Sequence, residues 1–106
     1  MVYTYFIQHG EDGPVKVGQA HDPYRRLSGL QTGNPVRLYL RAVVEYDLMP
    51  EPNVHALLAS ARIHNEWFEL TDEVREVLKV ATQLSRHREA AEGATYPEST
   101  ATFMYV

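Results

Sequence analysis

Residues 2–8, VYTYFIQ, constrain the fold most, because their β-branched and aromatic side chains demand a strand with apolar groups on both faces. Tyr3, Tyr5 and Ile7 share one parity, and Val2 and Phe6 share the other. A strand of that kind lies inside a sheet and needs further elements above and below it. The next stretch, HGEDGP, combines two glycines, two acids and a proline, and reads as a hairpin loop. VKVG at 15–18 then returns as a second, antiparallel strand.

The rest of the chain supplies the covering layers. Asp22 is a good N-cap and Pro23 a good first helical residue, and Tyr24, Leu27 and Leu30 line one helical face. The stretch QTGNP at 31–35 ends that helix. Residues 36–45 alternate, with Val36, Leu38, Leu40, Ala42 and Val44 on one side and Arg37, Tyr39, Arg41, Val43 and Glu45 on the other. This pattern predicts a third strand with one buried face. A second helix is expected over about 52–61, with an apolar stripe of Val54, Leu57, Leu58 and Ala61. EWFEL at 66–70 reads as a short strand or extended segment. Thr71 caps a third helix that carries acids in its first turn and a buried stripe from Val74 to Leu84. The expectation is an α+β fold, an α/β sandwich in which a small three-stranded, mostly antiparallel sheet is flanked by three helices. One domain over 1–86 would precede a flexible tail at 87–106, whose apolar end, Phe103 to Val106, is able to dock.

Composition narrows the chemistry. With no cysteine, disulfides, thiolate metal sites and cysteine catalysis are excluded. The N-terminus lacks a basic region followed by a long apolar run, so no signal peptide is expected. Nor does any stretch reach the length of a membrane span, so the expected setting is cytoplasmic with no membrane partner. A net charge of −4 argues at first against nucleic acid. Up to Val44, however, Lys16, Arg25, Arg26, Arg37 and Arg41 outnumber Glu11, Asp12 and Asp22. From Glu45 onward acids outnumber bases by about two to one. A basic half beside an acidic half fits a phosphate-binding face, and it also fits ordinary solvated charge.

Four groups of residues could carry chemistry. Tyr5, taken alone, reads as a core tyrosine whose hydroxyl has found a partner. Arg26 lies at the edge of the apolar helical stripe while Arg25 points away from it, so of the two Arg26 is better placed to grip a phosphate. Glu51 and His55 share a helical face at i, i+4 spacing. They lack the further ligands of a closed zinc site, but could hold Mg²⁺ if water and substrate phosphate complete the shell. On the third strand Arg37 and Arg41 flank Tyr39, a pattern suited to phosphate contact and base stacking, and equally to a solvated strand face.

In order and spacing these pieces resemble the GIY-YIG nuclease superfamily, above all its phage and bacterial branch typified by the meiotically up-regulated gene domain. The matching segments are TYFI at 4–7, VKVG at 15–18, DPYRRL at 22–27, LQTGNP at 30–35, EPNVH at 51–55 and RIHNEWF at 62–68. The resemblance implies that Tyr5 helps activate the attacking water and that Gly18 permits close backbone approach beside the substrate. It implies that Arg26 contacts the scissile phosphate and that Glu51 binds the divalent metal. Lys16 stands where the second motif usually has tyrosine and joins the catalytic set. His55 and Trp67 belong to the branch's pattern, and His55 is grouped with Arg37 and Arg41 as substrate-binding. The implied activity is a metal-dependent endonuclease, with Mg²⁺ or Mn²⁺, that hydrolyses phosphodiester bonds of DNA, RNA remaining open. Tyr5, its pKa lowered by Lys16 or Arg26, would take a proton from water. Without a separate recognition domain, the chain would act non-specifically, form a homodimer or use a targeting partner. Two rivals stand beside this reading: a non-catalytic nucleic-acid-binding module of the same fold, and a protein-binding adaptor that uses the acidic helix beginning at Thr71.

Overall fold

The computed structural model describes residues 1–86; the tail at 87–106, and the flexibility and docking expected of it, lie outside the described residues. Strands β1 (Tyr3–His9) and β2 (Val15–Ala20) form the expected antiparallel hairpin, with Tyr5 opposite Gly18 and Ile7 opposite Lys16. Helix α1 (Pro23–Gln31) starts where Asp22 accepts a hydrogen bond from the Arg25 N–H, with proline in its first turn. Strand β3 (Leu38–Glu45) pairs antiparallel with the other edge of β1. Helix α2 (Glu51–Leu57) and a 3₁₀ turn (Ala59–Ala61) lead into β4 (Arg62–His64) and β5 (Trp67–Phe68). Helix α3 (Asp72–Leu84) closes the fold, capped by Thr71, whose hydroxyl accepts from the Val74 N–H.

The α+β class stands, but the expected three-stranded sheet does not. The sheet has five strands in the order β3-β1-β2-β5-β4, every pairing antiparallel. The two added strands are three and two residues long, too short for a period-2 pattern to emerge, and every residue of β4 is exposed. Asn65, at φ +53°, makes the tight turn between them in the left-handed region that asparagine tolerates.

β1 is covered on both sides, as its sequence requires. Tyr5 and Ile7 pack with Leu27 of α1, while Phe6 packs with Val54, Leu58, Val74 and Ala81 beneath α2 and α3. The alternation expected of the third strand fails at a bulge. Phe6 faces Ala42 while Ile7 faces Leu40, so Arg41 is the extra residue and the strand changes face there. As a result Leu38, Leu40 and Val43 join the α1 layer, and Ala42 and Val44 join the other. The strand therefore buries both faces rather than one. Among the described residues, no helix is long and apolar enough to cross a membrane.

Candidate functional site

The hairpin register sets the site. Gly18 lies across from Tyr5, and a Cβ at Gly18 would overlap the Tyr5 hydroxyl and come within 3.0 Å of Glu66 Oε1. Only glycine leaves room for the phenol and the carboxylate to meet over β2. From α1, Arg26 directs Nη1 to 3.5 Å from Tyr5 Oη, a distance at the limit of hydrogen bonding. Two residues before Gly18 on the same face, Lys16 places Nζ 2.7 Å from Glu66 Oε1.

Glu66 comes from the turn between β4 and β5, and its carbonyl accepts a 2.9 Å hydrogen bond from the Val17 N–H, which fixes the turn against β2. Glu51 is the first residue of α2, because Pro50 occupies the cap position and Pro52 is compatible only with the first turn. One turn later His55 donates from Nε2 to the Val17 carbonyl at 2.7 Å, and the same nitrogen lies 3.8 Å from Glu51 Oε2. The flanking prolines thus set Glu51 at the head of its helix without turning it away from the site.

Electrostatics separates the two carboxyls, each of which perturbs the other. Burial and the neighbouring Glu66 push the Glu51 carboxyl above the ordinary range, against the pull of His55 and Lys16. Glu66 is also partly buried, but its bond to Lys16 overcomes that penalty and holds its carboxyl below the ordinary range. The phenol behaves opposite to expectation. Tyr5 is fully buried, and desolvation pushes its pKa up from 10.0 to about 12 despite the Arg26 guanidinium beside it. Neither Lys16 nor Arg26 lowers it below that of a free phenol.

Two neighbouring carboxyls, Glu51 largely screened from bulk water and Glu66 about one third exposed, repel each other when both are ionised, and a cation relieves that repulsion. Among the described residues no group of three or more His, Asp and Glu side chains could hold a metal unaided. Glu51 and Glu66 are the residues that could hold a hard ion such as Mg²⁺, since that ion binds through one or two carboxylates and fills its shell with water and phosphate oxygens. His55 is less suited as a ligand, since its Nε2 is committed to a backbone carbonyl.

The structure brings together Tyr5, Lys16, Gly18, Arg26, Glu51 and His55. It leaves Arg37 and Arg41 apart: their guanidinium carbons lie 5.1 and 4.5 Å from the Tyr39 ring, and Arg41 Nε donates to Gln8 Oε1 at 2.9 Å. Gln8 and Tyr39 pair on the Phe6 side of the sheet, so this cluster stands on the face opposite Tyr5. Glu66 was missed by sequence reasoning, although an acid held in a two-residue turn directly before an aromatic pair was a usable signal. Beside Arg26 a groove of about 530 Å³ runs between α1 and the end of β2, lined among others by Gln19, His21 and Arg25.

Residues 1–85 match the family model of the T5orf172 domain, so the chain belongs to that family. No curated protein and no solved structure matches it.

Proposed function

We propose that this member of the T5orf172 domain family is a divalent-metal-dependent endonuclease of GIY-YIG type that hydrolyses phosphodiester bonds of DNA. The observation that carries the reading is the convergence of a phenol, a guanidinium and two carboxyls, drawn from four separate segments, around a glycine that leaves them room. Arg26, the exposed cation of the group, grips the phosphate and offsets the charge that builds there in the transition state. Tyr5 stays a neutral phenol near pH 7, so it orients the attacking water by hydrogen bonding instead of removing its proton as phenolate. Lys16 keeps Glu66 ionised, and Glu66 with Glu51 forms the oxygen pair for the cation. A divalent ion held there by Glu51 and Glu66 would supply charge neutralisation at the phosphate and a more acidic water.

The test is plasmid nicking with Mg²⁺ or Mn²⁺. Wild type should cut, and Glu51→Ala should lose at least about a hundredfold in rate, the scale of losing one strong electrostatic group, while keeping its circular dichroism spectrum. Undiminished cutting by that variant removes the metal role. A second reading, a binding module without turnover, draws on the protonated phenol and on the Lys16–Glu66 pair that neutralises one carboxylate within the chain. Retention of DNA on a filter with no cutting in either metal would favour it.

A further inference from the structure

Next to the proposed phosphate site lies a cup of about 230 Å³ lined by His9, Pro14, Ile63, His64 and Trp67. Nothing in the phosphodiester chemistry above uses it. Trp67 pairs with Lys16 across β2 and β5, and the Lys16 ammonium lies 5.8 Å from the indole centroid. That same ammonium is 2.7 Å from Glu66 Oε1, which borders the space over Gly18 occupied by the Tyr5 hydroxyl. The cup and the phenol are thus linked through one lysine and one carboxylate on the same face of the sheet. His9 meets the indole in a T-shaped arrangement, with centroids 6.3 Å apart and planes at 86°. Ile63 is 54% exposed, an apolar wall facing solvent on the outermost strand.

We infer that this cup receives one unpaired nucleobase of the strand whose phosphate sits at Arg26 and Tyr5, so the substrate is single-stranded, frayed or branched nucleic acid, not continuous duplex. The inference rests on the nuclease reading and adds its substrate class. An aromatic platform with an apolar wall and room for one ring takes up a base that is free on its faces, whereas a base inside a duplex is already stacked above and below. The ring nitrogens of His9 and His64 in the lining offer hydrogen bonds to the edge of a base, which an apolar peptide side chain cannot use. The Tyr39 ring on the opposite face is a weaker platform, because two guanidinium groups already pack against it.

Trp67 is the only tryptophan in the chain, so its emission reports on the cup directly. The wild-type chain, kept in chelator so that nothing is cut, is titrated with an oligothymidylate, with the same strand in blunt duplex, and with inorganic tripolyphosphate. The expected result is saturable quenching by the single strand, at least roughly tenfold weaker half-saturation with the duplex, and no quenching by tripolyphosphate, a margin in keeping with one base-stacking contact. Trp67→Ala should weaken single-strand binding, followed by anisotropy of a labelled oligonucleotide, by roughly tenfold, and Trp67→Phe should restore most of it. Equal quenching by strand and duplex, or by tripolyphosphate, overturns the inference. An emission that follows protein concentration and ignores oligonucleotide would assign the cup to a second copy of the chain and overturn it as well. Duplex cutting without strand-dependent quenching would remove the cup and leave the nuclease reading standing; quenching without any cutting would do the reverse.

Discussion

Tyr5 and Gly18 depend on each other, and both stability and activity should register it. The phenol is buried against α1, and its hydroxyl occupies the space that the missing Cβ of Gly18 leaves. Gly18→Ala would force a methyl group into the hydroxyl of a ring that has no free volume to retreat into. Overpacking of this kind costs about 1–3 kcal/mol, so urea unfolding should show that loss, and nicking should fall with it as Tyr5 and Glu66 are pushed apart. The pKa of Tyr5 adds a pH signature. Its folded value of about 12 lies above the unfolded value of 10.0, so the native state holds the proton longer. The stability this provides is complete below pH 10 and is lost as pH rises toward 12. The wild type should therefore lose on the order of 2 kcal/mol more than Tyr5→Phe across that window, measured by urea unfolding at a series of alkaline pH values. Equal losses in the two proteins would mean that the phenol is better solvated than its burial indicates.

At the level of elements, the exposed edge of β3 is secured by the end of α3. Ser85 Oγ accepts a 2.8 Å hydrogen bond from the buried Val43 N–H, and the Arg86 N–H donates to the Val43 carbonyl at 2.8 Å. Ser85→Ala would strand a buried backbone donor, at about 1–3 kcal/mol, and should raise amide exchange at Val43 specifically, as read by NMR. Neither this tether nor the bulge that makes it useful could be read beforehand. The alternation of residues 36–45 is real, but one inserted residue, Arg41, reverses it, and periodicity carries no sign of a bulge. By contrast β1, β2, α1 and α3 were legible, because each has an apolar pattern several residues long or a cap written into the chain, such as Asp22 and Thr71. Within the site, Tyr5, Arg26 and Glu51 were legible through order and spacing. Glu66 was not, because its place depends on a two-stranded hairpin too short to leave a pattern. The direction of the Tyr5 shift was also hidden, since it depends on how fully α1 seals the ring, and a sequence does not carry solvation.

Across the whole molecule, the central sheet divides two basic clusters between opposite faces, and one nucleic-acid strand cannot lie on both without wrapping around an edge. Arg25 and Arg26 border the groove on the Tyr5 side, whereas Arg37 and Arg41 flank Tyr39 on the other. A net charge of −4 makes the remaining surface repel phosphate, so binding should be weak and should come from whichever cluster the strand uses. Each phosphate neutralised on a single strand contributes about −0.7 to the slope of log affinity against log salt. If the strand lies on the Tyr5 face with Lys16 tied to Glu66, Arg25 and Arg26 account for a slope between about −1 and −2. Arg25→Gln and Arg26→Gln should each make that slope shallower by about 0.7, and Arg37→Gln with Arg41→Gln should leave it unchanged. Fluorescence anisotropy of a labelled single strand over a salt series reads all three variants. The reverse pattern would put the strand on the far face, out of reach of the phenol and the carboxyl pair, and the chain would then bind nucleic acid through a surface that Tyr5 and Glu51 cannot act upon.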